Sequence, residues 1–337
     1  MRAAVFGDTG EIAVVQRKQP EPRPGWVRLA VSAVGICGSD LNLLYANGGM
    51  SNGVQPGHEV AGVIDAVGDG VTLESGASVA LEPLVACGHC DYCRRGLHNL
   101  CLTVKLCGFT RPGGMAEFLT VPAGALHPLP AALPAHVAAL AEPMAVCVRG
   151  IRLARVQLAD RVAILGGGSI GLLSITAARA AGAGEILVTA RHPHQRDMAA
   201  ALGADGVFTS SQELLHAVGD QHVDVVVETV GGKADTLREA VSVARSGGRI
   251  ALLGVFDGDC SLPGLAFFAK ELTLRASNCY GRDCHQGDFA IATKLIDIHR
   301  DSFGALVTHR FKLDQVAEAF ATAADKSTRS IKVQVQP

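Results

Sequence analysis

The stretch Gly166-Gly167-Gly168-Ser169-Ile170-Gly171 constrains the fold of this chain more than any other. It follows a short apolar run, Arg161–Leu165, and opens a helical pattern that continues through Ala181. Strand, tight turn and helix N-terminus together make a Gly-x-Gly-x-x-Gly pattern informative. Gly166 permits the turn, Gly168 leaves room for a pyrophosphate against the backbone, and Gly171 lets the helix pack close to the strand. The helix start at Ser169 and Ile170 offers unpaired amides to phosphates. Alone the glycines would be weak evidence. Strand and helix patterns then alternate through 186–190, 195–202, 223–229, 233–244, 249–255 and 272–277. Such alternation predicts an α/β unit, a Rossmann doubly wound parallel sheet binding a dinucleotide.

The end of the second strand indicates which dinucleotide. An NAD site usually carries Asp or Glu about 20 residues after the glycines, bonded to the ribose 2′-OH. Here that place holds Ala190, followed by Arg191, with Arg196 on the next helix. A missing carboxylate removes repulsion against a 2′-phosphate, and a guanidinium can clamp one through two N–H donors. The expectation is NADP(H) over NAD(H). The plainer alternative is a solvated arginine and a relaxed cofactor preference.

Before this unit the character differs. Residues 1–6, 12–15, 27–33, 58–67 and 77–81 are short strand-like runs separated by turns, with few convincing helices. They predict a β-rich domain, a partly open barrel. A cysteine loop interrupts it: Cys87, Cys90, Cys93 and Cys101 at spacings of three, three and eight positions. Four thiolates so close can enclose one zinc in a closed, structural site; two disulfides or packed thiols are the alternatives. A second, weaker signal is Cys37-Gly38-Ser39-Asp40 with Gly57-His58-Glu59. Thiolate, imidazole and carboxylate suit a zinc that keeps a position open, although a lone Cys and a lone His are more often packing residues.

Composition narrows the rest. Net charge is −2 and no Lys/Arg block stands out, which argues against a nucleic-acid partner or a membrane-surface helix. No apolar run reaches the roughly 18 residues of a membrane span, and the start does not read as a secretory signal. The expectation is a cytoplasmic protein acting on a small molecule.

Together these residues resemble the zinc-dependent medium-chain dehydrogenase/reductase superfamily, over almost the whole chain, including the closing Ser330-Ile331-Lys332-Val333. Ala141-Glu142-Pro143 makes it look most like the polyol branch of sorbitol, threonine and sugar-acid dehydrogenases. The resemblance implies a GroES-like catalytic domain over 1–143 with a structural zinc lobe at 84–104. It also implies a coenzyme domain over 144–281, a return to the catalytic domain over 282–337, and an active site in the cleft. It implies a catalytic zinc on Cys37 and His58, with Glu59 as third ligand and Glu142 bound directly or through water. Ser39 matches the hydroxyl that passes the substrate proton onward, and Lys332 a basic residue at the cofactor pyrophosphate. Two zincs per chain are implied, as is a homodimer or homotetramer paired through the Leu272–Tyr280 edge. One departure is Asn42, where many relatives carry a relay His; an amide is no base near neutral pH. The expected reaction is hydride transfer between NADP(H) and a polyol, sugar, sugar acid or aminocyclitol. An apolar carbonyl reductase would instead line its pocket with Leu44, Phe109 and Leu265, where a polyol site would use Tyr45, Arg282 and Asp283. A cofactor-binding protein without catalysis would lack a ligand or Ser39, and neither is missing.

Overall fold

The structure, a computed structural model, describes residues 1–7, 10–45, 53–219 and 223–337. It divides into two compact units: Met1–Glu142 joined by Gly281–Pro337, and Pro143–Tyr280.

The second unit carries six parallel strands. Across the sheet they run Gly206–Phe208, Glu185–Thr189, Arg161–Leu165, Val223–Glu228, Ala244–Leu252 and Thr273–Ala276. Numbered along the chain this is 3-2-1-4-5-6, the order of dinucleotide-binding sheets, in which ligands sit outside the carboxyl ends of the strands. The inner strands are buried on both faces, so Val162–Leu165 and Val225–Val227 read as continuous apolar runs. The helices Ser169–Ala180 and Thr236–Val243 pack against the Arg161–Leu165 and Val223–Glu228 strands.

The first unit is built on a seven-stranded sheet. Its centre is the Trp26–Gly35 strand, which pairs antiparallel with Glu59–Val67, Phe118–Pro122 and the late strand Lys332–Gln336. Val27, Leu29 and Val31 alternate into one core, as a period-two pattern requires, but past a register shift between Val31 and Ala33 it is Val34 rather than Ala33 that joins that core. Phe6 and Phe320 are both fully buried in that core and meet edge to face, with ring centroids 5.7 Å apart. Early helices were expected to be few, yet Gly38–Tyr45 is one. Only Asp40 and Leu44 of it are buried, too little apolar periodicity to read in advance. The later return supplies helices at Asp288–Ile298 and Val316–Ala324, the second entered through a 3₁₀ turn at Leu313–Gln315. Among the described residues no helix is long and apolar enough to cross a membrane.

Candidate metal and coenzyme sites

Sheet register assembles the first site. Gly35 lies opposite Glu59 in the antiparallel pair, so Cys37, just past one strand, meets His58, just before the other. One ligand atom from each of Cys37, His58 and Glu59 lies within 4.8 Å of the others. Gly35 is required here: a Cβ would fall on the Glu59 carboxylate, at Oε2. The Cys37 backbone N–H donates to Asp40 Oδ2 at 2.9 Å, and Asp40 Oδ1 stands 3.5 Å from His58 Nδ1. Asp40 thereby favours a proton on Nδ1 and leaves Nε2 as the ligand atom. Burial opposes charge on His58, but Asp40 and Cys37 outweigh it, and the imidazole pKa stands well above its ordinary value.

Lys332 completes this cluster. Its Nζ donates to Glu59 Oε1 at 2.6 Å and to the Ile36 carbonyl at 3.2 Å. Both side chains of this ion pair are buried. Burial pulls the Lys332 pKa down, but Glu59, Cys37 and Glu142 more than offset it, leaving it raised. Glu142 is thus within electrostatic reach of Lys332, buried in the first turn of the Ala141–Leu153 helix. It is not among the three residues whose ligand atoms converge. The ammonium expected at a pyrophosphate donates here to a carboxylate and a carbonyl.

These residues fit a zinc. The donor set is thiol, imidazole and carboxylate, and Glu59 Oε2 is buried without a hydrogen-bond partner. Ser39, partly exposed, starts the Gly38–Tyr45 helix two residues beyond Cys37, and Asn42 is exposed on the same helix. Of the pocket candidates, Phe109 stands beside the site, its ring centroid 5.5 Å from that of His58. Leu44 is in the core, Leu265 and Tyr45 are exposed, and Arg282 is paired with Glu82.

The four cysteines of the loop form the second cluster, their sulfurs all within 4.8 Å of one another. The Cys87 N–H points at Cys101 Sγ (3.3 Å) and the Cys90 N–H at Cys87 Sγ (3.4 Å), as amides do toward thiolates. The Cys87 amide draws the Cys101 pKa down to about 6, while burial pushes Cys93 up to about 12. Four such thiols fit a zinc with a closed shell, because only a cation balances four thiolates. The lobe rests on the returning chain: Arg282 N donates to Gly96 O at 2.6 Å, and a Cβ on Gly96 would strike the Arg282 carbonyl. Arg282 in turn binds Glu82 Oε2 at 2.7 Å, and His127 Nε2 meets the same carboxylate at 2.8 Å.

In the coenzyme unit Gly166 adopts φ +114° and its N–H reaches Thr189 O and Oγ1 at 3.1 and 3.2 Å. A Cβ on Gly171 would fall on the Gly166 carbonyl, so the close helix–strand approach holds. Above Gly168 nothing lies within 4 Å, leaving space for an approaching group at the start of the Ser169–Ala180 helix. Gly167 had no assigned role, yet a Cβ there would be 2.5 Å from the Ala190 Cβ. Ala190 is 2% exposed against it, whereas Arg191 is exposed. Arg196 Nη1 donates to the carbonyls of Ala190 (3.2 Å) and Arg191 (2.7 Å), so two guanidinium groups flank this strand end.

Residues 23–131 match the alcohol dehydrogenase GroES-like domain family and residues 169–297 the zinc-binding dehydrogenase family. Sorbitol dehydrogenase of Bacillus subtilis is 33% identical over 351 aligned positions, covering 100% of this chain and 97% of that protein. A Sinorhizobium meliloti zinc-binding dehydrogenase solved with NADP superposes with a TM-score of 0.89, 29% identity and coverage of 100% and 99%. An Escherichia coli alcohol dehydrogenase complexed with NADH gives 0.90, 26% identity and coverage of 100% and 99%. The fold and the two donor clusters therefore define a zinc-binding, nicotinamide-dependent oxidoreductase of the alcohol dehydrogenase type. Within that class, this chain belongs to the zinc-dependent medium-chain dehydrogenase/reductase superfamily, in its polyol dehydrogenase branch.

Proposed function

We propose that this chain transfers a hydride between NADP(H) and a polyol, sugar, sugar acid or aminocyclitol. Bound zinc would supply Lewis acidity toward a substrate oxygen, and bound nicotinamide the hydride acceptor or donor. Cys37, His58 and Glu59 hold the catalytic metal, with Glu142 as the alternative carboxylate; the four-cysteine lobe holds the structural one. Asp40 orients the His58 ring, and the Lys332 ammonium pairs with the buried Glu59 carboxylate and holds it in place. Ser39 accepts the proton released by a bound hydroxyl. With Asn42 exposed and amide in character, that proton leaves through water, ribose hydroxyls or another side chain rather than a side-chain base at this position.

The observation that carries the cofactor preference is the strand end at Ala190. A methyl group packed on Gly167 occupies the place of the usual acid, and Arg191 and Arg196 flank it. The test is kcat/KM with NADP⁺ and NAD⁺ over a panel of polyols, sugar acids, aminocyclitols and simple alcohols. Wild type should favour NADP⁺, and Ala190→Asp with Arg191→Ser should reverse the ratio. An unchanged ratio removes the assignment, and turnover of simple alcohols alone moves the substrate to the apolar class.

The coenzyme unit also presents an edge for a second copy. Strand Thr273–Ala276 ends the sheet, and Val255, Leu265 and Phe268 near it are 76%, 84% and 78% exposed. Apolar surface at an unpaired edge supports a homodimer or a homotetramer paired here. Phe268→Glu should lower the mass found by sedimentation equilibrium.

A further inference from the structure

The fourth strand of the coenzyme sheet ends in a carboxylate that no step above uses. Glu228 is completely buried. Its Oε1 accepts three donors: Val230 N–H at 2.8 Å, Gly231 N–H at 3.0 Å and the Thr236 hydroxyl at 2.7 Å. Its Oε2 has no hydrogen-bond partner and lies against Gly254, where a Cβ would collide with it. A buried carboxylate is costly unless its hydrogen bonds do something the fold needs. Here they fix a turn, Thr229–Gly232, whose two glycines have φ near +60°.

That turn forms one wall of the glycine loop. Glu228 is in register with Leu165, the residue before Gly166. Both the Thr229 N–H and the Thr229 hydroxyl donate to the Leu165 carbonyl, at 3.1 and 2.8 Å. A Cβ on Gly166 would stand 2.7 Å from Thr229 Oγ1 and 2.8 Å from Val230 Cγ2. The Gly166 turn is thus confined between Thr189 on one neighbouring strand and Thr229–Val230 on the other. Val230, held by Glu228, is 41% exposed at the carboxyl end of the sheet, where dinucleotides dock.

We propose that Glu228 is a positioning residue for the coenzyme: through the Thr229–Gly232 turn it fixes the Gly166 turn and Val230 in the dinucleotide-binding geometry. The proposal rests on the reading of the glycine loop as a nicotinamide-dinucleotide site. Glu228→Ala frees two amides and a hydroxyl and lets the turn relax. Glu228→Gln keeps one acceptor oxygen, and Thr236→Val removes one donor.

The experiment measures the Kd of NADPH and of NADH by fluorescence for wild type and the three variants in the zinc-loaded protein. Circular dichroism, melting curves and the split of cofactor KM against kcat accompany it. Glu228→Ala should weaken the tighter cofactor about 10-fold or more, with kcat at saturating cofactor and the substrate KM little changed. Glu228→Gln should restore most of the affinity, and Thr236→Val should weaken it about 3-fold. If folded Glu228→Ala binds as tightly as wild type, with only its melting temperature lowered, the carboxylate is merely structural and the proposal is overturned. Should that variant not fold, wild-type affinity in Thr236→Val overturns it equally. Wild type binding neither nucleotide would instead remove the coenzyme reading on which the proposal stands.

Discussion

The two donor clusters of the first unit are built on opposite principles. The lobe cluster is local: four like donors from one short loop, satisfied by that loop's own amides. The Cys37 cluster is long-range: three unlike donors set by sheet register, with an ammonium 273 positions from its carboxylate partner. A closed set of four thiolates leaves a metal no free position, whereas a mixed set of three leaves one. The local cluster suits holding shape, and the long-range one suits chemistry. Its Glu59 Oε2, buried without a hydrogen-bond partner, marks a site that the protein's own hydrogen bonds do not satisfy.

Substitutions should separate the two clusters. The largest effect is expected for His58→Ala: kcat/KM falls by about 10³-fold or more. Zinc analysis should show one equivalent lost and the lobe equivalent kept; retention of both would break the comparison. Lys332→Met comes next, because it strands Glu59 as an uncompensated buried charge, at a cost of about 3–5 kcal/mol in denaturant unfolding. Lys332→Arg should recover much of that. For Cys101→Ser the expected loss is about 3 kcal/mol, the worth of a cross-link closing a loop of this length, read as a lower melting temperature. The Cys37 cluster should keep its metal in that variant.

The smallest effect is in acid. Burial works against the Glu82 carboxylate, yet His127 and Arg282 together hold its pKa below the usual 4.5. Its contribution is therefore complete above the unfolded-state pKa and is lost as pH falls through the lower folded value. Hydrogen exchange in the lobe, which rests on Arg282, should quicken below about pH 4.5, and Glu82→Gln should flatten that dependence. Equal acid sensitivity in both proteins would uncouple the lobe from this carboxylate.

Legibility in sequence follows the same division. The coenzyme unit could be read because each of its signals lies within about one strand–turn–helix segment. The lobe could be read from spacing alone. The Cys37 cluster was only a weak signal until resemblance assigned its ligands, since the Gly35–Glu59 register that joins it is a property of the sheet. Gly35 itself looks like any strand glycine until the carboxylate it accommodates is seen. One signal was present for Lys332. In the strand Lys332–Gln336 successive residues are buried on both faces, and a lysine and a glutamine inside such a strand call for partners. Glu228 was hidden similarly, as a polar end to an apolar run.

The late position of Lys332 in the chain bears on biosynthesis. The coenzyme unit is continuous and holds all its strands once Tyr280 has been made. The other unit is interrupted by it, and its central strand lacks a neighbour until residues 332–336 emerge. Translation at about 5–20 residues per second leaves roughly 14 to 55 seconds in which Cys37, His58 and Glu59 exist without their counter-ion, 273 positions further on. A nascent chain therefore has every strand of the coenzyme unit, and all four cysteines of the lobe, before the Cys37 cluster gains its buried ammonium.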